Sequence, residues 1–314
     1  MEQIDMDKHV FCITAYKDFQ QLSTLLSRLT RGGGRCYVHI DKRVRIPADF
    51  AETWRCQNNV TLIQTQKVFW GSCRHVMAVM DLLQRIEGDY RFVHIISENT
   101  LPIVSESEFL AFFSRNPKKS FMEIIPAEQQ DPNHVRTRYF YFQHLYNTKG
   151  RYGWRIEDMV KKLQDALHIR QDMPLPYKGY LYCHLNRDFV TWILENKEDC
   201  LAFLHQIRHV YVPEEYFFQN LIMRSPYADT VVNDALIFDI WDAPERGLPA
   251  FLEKRDIPAM KRSGKLFARK FRSDNAADFE KVPQWKDGWG GSSLGDSCAY
   301  SEASWTSPKS NPTR

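Results

Sequence analysis

The chain has 314 residues, 43% of them hydrophobic, and its 42 lysines and arginines nearly balance 39 acids for a net charge of +3. That is ample material for a core, and too small a charge to mark the whole protein as a binder of nucleic acid or membrane. Seven cysteines without a CxxC pair suit a reducing compartment, and no apolar run nears the roughly 20 residues that span a bilayer.

In chain order, the first hundred residues alternate between short β-rich runs and helical patterns. VFCITAY (10–16), RCYVHID (35–41), NVTLIQ (59–64) and FVHIIS (92–97) read as buried strands. DFQQLSTLLSRL and RHVMAVMDLLQRI between them place leucine, valine and methionine at helical spacing. This alternation predicts an α/β fold with a largely parallel sheet, and ligands at the carboxyl ends of its strands, in the loops after Tyr16, Asp41 and Ser97. The run Gly32 to Gly34 has neither dinucleotide nor P-loop spacing and reads as a helix-to-strand connection.

Further along, SFMEII (120–125) and VVNDALIFDIW (231–241) read as strands, and TRYFYFQ (137–143) as a strand or the wall of a cleft. Helices are predicted at 156–168, 186–207 and 213–224. From about Ser273 the composition turns to Gly, Ser, Asp, Trp and Pro, so the chain divides into a domain over 1–272 and an extended or partly disordered tail over 273–314.

Two stretches carry chemistry. VPEEYFFQNL (212–221) sets Pro213, Glu214 and Glu215 at a helix start, which is either an ordinary N-terminus or the seat of an ionised general base. KRSGKLFARKFR (261–272) holds Lys261, Arg262, Lys265, Arg269, Lys270 and Arg272 without an acid. Leu266, Phe267, Ala268 and Phe271 should anchor it with some cations turned inward, where they suit a diphosphate. HExxH, EF-hand and GxSxG motifs are missing, and the only DxD, Asp5-Met6-Asp7, precedes the first strand.

HIDKR (39–43), FWGS (69–72), SENTLPI (97–103), VPEEYFFQ (212–219) and KLFARKF (265–271) stand in the order and spacing of the core-2 and I-branching β-1,6-N-acetylglucosaminyltransferase family, which the chain resembles over roughly 9–272. The resemblance implies a GT-A-like, Rossmann-like mixed fold and an inverting transfer of N-acetylglucosamine from a UDP-sugar to a glycan or lipid-linked acceptor, without a metal ion. It implies Glu215 as the general base with Glu214 beside it, and Lys270, helped by Arg269, on the diphosphate. Asp41 and Trp70 then belong to the uridine pocket, and Glu123, Arg136, Arg138 and Tyr182 to the acceptor side. An equal alternative for Glu123 is a simple ion pair with Arg136 or Arg138, while Cys183 and His184 read as a buried thiol and a structural histidine.

The pattern departs from the family at SENTLPI, where Glu98 replaces a glycine and Thr100 an acid, which leaves a different donor sugar open. A bacterial enzyme of surface polysaccharide synthesis, cytoplasmic or peripheral at the inner face of the membrane, is the expected setting, with an excised lumenal domain as the alternative. The rival expectation is a non-catalytic module that binds an anionic polymer through 261–272.

Overall fold

The computed structural model describes residues 4–274 and Phe279, apart from 133, 172 and 242–248; the expected tail lies almost wholly outside the described residues. The strands are β1 (His9–Ala15), β2 (Arg35–Ile40), β3 (Val60–Ile63), β4 (Phe92–Ser97), β5 (Thr100–Pro102), β6 (Ser120–Met122), β7 (Ile125–Pro126), β8 (Tyr177–Lys178), β9 (Cys183–Asn186), β10 (Val231–Asn233), β11 (Ile237–Phe238) and β12 (Phe267–Arg269). The α-helices are α1 (Phe19–Arg31), α2 (Ala48–Arg55), α3 (Cys73–Leu83), α4 (Glu106–Arg115), α5 (Ala127–Gln130), α6 (Val135–Arg138), α7 (Gly153–Ala166), α8 (Arg187–Glu195), α9 (Lys197–Gln206), α10 (Phe217–Arg224) and α11 (Ile257–Arg262).

Seven strands form the main sheet in the order β10-β6-β9-β4-β1-β2-β3. β1 pairs in parallel with β2 and β4, and β2 with β3, so their carboxyl ends share one edge. β9 runs antiparallel to both β4 and β6, which makes the sheet mixed. Every residue of β1 and β4 is buried, because both faces of the sheet are covered. Leu22, Leu25, Leu26 and Leu29 of α1 pack on one face, and Val76, Val79, Met80 and Leu83 of α3 on the other. Gly33, at φ 95°, turns the chain from α1 into β2 as the sequence predicts.

The later elements are more broken than the sequence suggests. The expected strand 120–125 divides into β6 and β7, which belong to different sheets. The expected strand 231–241 likewise divides into β10 in the main sheet and β11 in a small sheet ordered β11-β12-β5. Asn196 ends α8 and separates it from α9, where one helix over 186–207 is predicted. The aromatic stretch 137–143 is not a strand: Thr137 and Arg138 end α6 and the rest continues as a loop, with Tyr141 buried against Tyr211.

Three histidines cross the sheet in a line. His9 Nδ1 lies 2.8 Å from His94 Nε2, His94 Nδ1 lies 3.0 Å from His184 Nδ1, and His184 Nε2 lies 3.0 Å from the Ala235 carbonyl. Because that carbonyl can only accept, His184 Nε2 must donate, His94 Nδ1 must donate to His184, and His9 Nδ1 must donate to His94. Burial lowers the pKa of all three, so the relay is neutral and structural, as read for His184.

Candidate active site

A cavity of about 530 Å³ opens at the carboxyl ends of β1, β2 and β4, and Tyr16, Asp41 and Ser97 all line it. The position has a simple origin: parallel strands end together, and the loops that leave them diverge around a crevice.

Asp41 follows β2 and is buried. Its Oδ1 accepts from the Arg43 amide and Nε, both at 2.9 Å, and its Oδ2 accepts from Arg43 Nη2 at 2.7 Å and the Val68 amide at 3.1 Å. Burial alone would raise its pKa, but the Arg43 hydrogen bonds and charge, with the Val68 amide, hold it below the usual carboxylate range. These four bonds fill the carboxylate's acceptor capacity, so Asp41 shapes the pocket by fixing Arg43 and the 68–70 loop. Trp70 lies on that loop, half-buried, with Lys149 Nζ 4.0 Å above its ring.

A second group is cationic. Arg269 ends β12, buried, with its guanidinium 4.4 Å from the Tyr182 ring centroid. Lys270 follows it into the cavity, where burial and then repulsion from Arg269, Lys17 and Lys149 push its ammonium down to about 8. Glu98 sits among these cations at 2% exposure, and its Oε1 has no hydrogen-bond partner among the described residues. Burial pushes its carboxyl up to about 7, against the pull of its own backbone amide, Lys17, Arg269 and His75.

The third group is the glutamate pair. Val212, in a left-handed backbone conformation, turns the chain into a short 3-10 turn over Pro213–Glu215 before α10. Glu215 Oε2 meets Arg136 Nη1 at 2.7 Å and Lys178 Nζ at 2.9 Å, while Oε1 has no hydrogen bond or ion pair among the described residues. Glu214 Oε1 lies 3.3 Å from His75 Nδ1, and His75 Nε2 lies 3.0 Å from Thr14 Oγ1. Two adjacent carboxylates therefore have different partners.

The residues singled out in the sequence divide accordingly. Asp41, Trp70, Glu98, Tyr182, Glu214, Glu215, Arg269 and Lys270 line one cavity. Arg136 reaches it through Glu215, whereas Arg138 is exposed outside it. Glu123 pairs with neither arginine; half-buried, it has a pKa raised by desolvation and by Asp239 and Glu215, against the pull of Lys178. The basic segment does not form one charged face: Lys265 pairs with Asp234 at 2.7 Å and Arg272 with Asp274 at 2.7 Å, while Lys261 and Arg262 are exposed on α11. Asp5 and Asp7 are exposed ahead of β1 and do not line the cavity.

Lys17, His75, Lys149 and Lys178 are the groups that sequence reasoning missed. Lys17 follows Tyr16 directly and could have been taken from the strand-end rule. No motif or spacing marks the other three. Among the described residues, no group of three or more His, Cys, Asp or Glu side chains converges in the manner of a metal site.

A mixed, mostly parallel sheet with a strand-end cleft, cationic around one buried glutamate and carrying a separate pair of adjacent glutamates, defines a GT-A-like α/β protein. The chain belongs to the Core-2/I-branching enzyme family, whose model matches residues 10–272. Xylosyltransferase 1 of Rattus norvegicus is 22% identical over 213 residues, which is 66% of this chain and 24% of the rat protein. The β-glucuronosyltransferase GlcAT14B of Arabidopsis thaliana is 24% identical over 207 residues, 62% of this chain and 43% of the plant protein. The chain thus spans less than half the length of either relative. Among solved structures, 4-diphosphocytidyl-2C-methyl-D-erythritol synthase from Anaerococcus prevotii aligns at a TM-score of 0.34 with 13% identity, covering 64% of this chain and 79% of that one.

Proposed function

We propose that this chain is an inverting glycosyltransferase that moves a sugar from a UDP-sugar to a hydroxyl of a glycan or lipid-linked saccharide. The observation that carries the reading is the presence in one cavity of Lys270 and Arg269 beside Lys17 and of a separately held Glu215. A nucleotide diphosphate suits the cations, which would stabilise the charge that grows on the leaving group. Arg136 and Lys178 both hold Oε2 of Glu215, so Oε1 is the atom placed to take the acceptor proton as the acceptor oxygen attacks the anomeric carbon.

N-acetylglucosamine is the first donor to test, by the family resemblance, followed by xylose and glucuronic acid, the sugars named in the relatives. Counter-charge supplied by Lys270 and Arg269 makes metal-independent turnover the expectation. No helix among the described residues is long and apolar enough to cross a membrane. A bacterial role in surface polysaccharide synthesis, on the cytoplasmic side, belongs to the same proposal.

The test is transfer from a panel of UDP-sugars with EDTA present, beside UDP-dependent thermal stabilisation. Glu215→Gln is expected to abolish transfer and leave UDP stabilisation intact. Transfer by Glu215→Gln at the wild-type rate would remove the base assignment, and turnover that demands manganese would remove the cationic one. A module that only binds an anionic polymer would show affinity falling with salt and indifferent to Glu215; the ion-paired state of Lys265 and Arg272 weighs against it.

A further inference from the structure

The helix α7 turns its polar face inward and its apolar face outward. Gly153 and Gln164 are its buried residues, with Glu157 and Lys161 half-buried on the same side and Val160 at the edge. The contacts there are polar: Gln164 Oε1 accepts from the Phe140 amide at 2.8 Å, its Nε2 donates to the Phe140 carbonyl at 3.0 Å, and Tyr139 donates to Asp165 at 2.7 Å. Outward stand Ile156 at 39% exposure, Met159 at 63%, Leu163 at 58% and, just past the helix, Leu167 at 58%. Steps of three and four residues keep them on one stripe, with exposed Tyr152 one turn before. Scattered exposed apolar residues need no explanation, but a helix built inside out does.

Charge decides what could cover the stripe. Arg155 and Lys162 flank it on the solvent side. The helix's acids are otherwise engaged, Asp158 by Lys162 at 2.8 Å and Asp165 by Arg170 at 2.5 Å, with Glu157 half-buried. Arg151 and Arg155 have no ion pair among the described residues, and Lys149 precedes them. A second copy is a poor match, because an antiparallel pairing of two such stripes opposes Arg155 and Lys162 to their own kind, and a parallel one gives them no acid to face. The stripe is also a ridge rather than a groove, since nearly every residue from 151 to 169 outside the inner face is exposed. A ridge with a basic flank suits a fluid anionic surface, which needs no shape complementarity.

We propose that α7 is a docking helix for an anionic lipid surface, with Ile156, Met159 and Leu163 entering the headgroup boundary and Arg151 and Arg155 meeting lipid phosphates. The inference stands apart from the chemistry of the cavity. Asn147 and Lys149, in the segment leading into α7, line that cavity, so docking would hold its mouth beside the lipid plane.

The experiment is flotation of the full chain with phosphatidylcholine vesicles, with and without phosphatidylglycerol. Binding is expected only with phosphatidylglycerol, weakening as salt is raised. The triple variant Ile156→Ser, Met159→Ser, Leu163→Ser and the double variant Arg151→Glu, Arg155→Glu are each expected to lose at least about tenfold in partitioning. All replaced side chains are exposed, so both variants should keep the wild-type thermal midpoint and UDP stabilisation. Wild-type protein that floats with neither vesicle, or a triple variant that floats as well as wild type, would overturn the proposal. So would a lipid-free dimer that the triple variant converts to monomer, because a second copy would then be what covers the stripe.

Discussion

Replacing Glu98 by glutamine tests the electrostatics of the cavity through stability. Glu98 is buried at 2% exposure with an unpartnered Oε1, and burial carries its carboxyl from 4.5 to about 7. At about 1.36 kcal/mol per unit, that shift is worth about 3 kcal/mol. The native state holds this proton more tightly than the unfolded chain, so the group's contribution is fully present below pH 4.5 and is lost as pH rises through about 7. Glutamine keeps the shape and cannot ionise. The stability of Glu98→Gln relative to wild type is therefore expected to improve by about 3 kcal/mol between pH 4.5 and about pH 8. Urea titrations of both proteins at the two pH values measure it, and taking the difference cancels the titrating groups that do not interact with Glu98. A gap that does not change with pH would show that Glu98 is solvated or paired, and the reasoning would fail.

Lys270 gives a binding counterpart: because burial and neighbouring cations push its ammonium down to about 8, UDP affinity is expected to fall above that pH, and Lys270→Arg to move the fall upward, as read by calorimetry across the pH range. Arg136→Leu removes one of the two cations on Glu215 Oε2, and kcat is expected to drop by about tenfold or more while UDP stabilisation is unchanged. Gly179→Ala should destabilise by about 1–3 kcal/mol and lower activity, since an added Cβ would overlap the Glu123 carbonyl, 2.8 Å from its carbon, on a residue whose amide bonds the Glu215 carbonyl. Ser105→Ala, which removes the capping box of α4, is expected to cost about 1 kcal/mol in thermal or urea unfolding and leave transfer untouched.

Features under local control are the ones that the order of residues reveals. Short apolar, β-branched runs mark strands, so β1, β2, β3 and β4 are legible within a residue or so, and with them the strand-end location of the cavity; β3, expected to be buried, is instead an edge strand with only Val60 buried. Leu266, Phe267 and Phe271 anchor the basic segment as their alternation with cations implies, and this turns Lys270 inward. The short late strands are not legible in this way, because β10 and β11 are adjacent in the chain yet join different sheets, a choice made by distant partners and not by propensity.

Which charges meet depends on packing between distant segments. Arg136 and Glu215 are 79 residues apart in the chain and 2.7 Å apart in space, and Lys178 reaches the same oxygen from β8. Asp41, legible as a strand-end acid, is saturated by its near neighbour Arg43 together with the distant Val68 amide, and Glu123 pairs with no arginine at all. The histidine relay and the reversed polarity of α7 belong to the same class of fact. A sequence records the period of its apolar residues, but burial, which sets the pKa of Glu98 and leaves the stripe on α7 uncovered, exists only once distant segments pack.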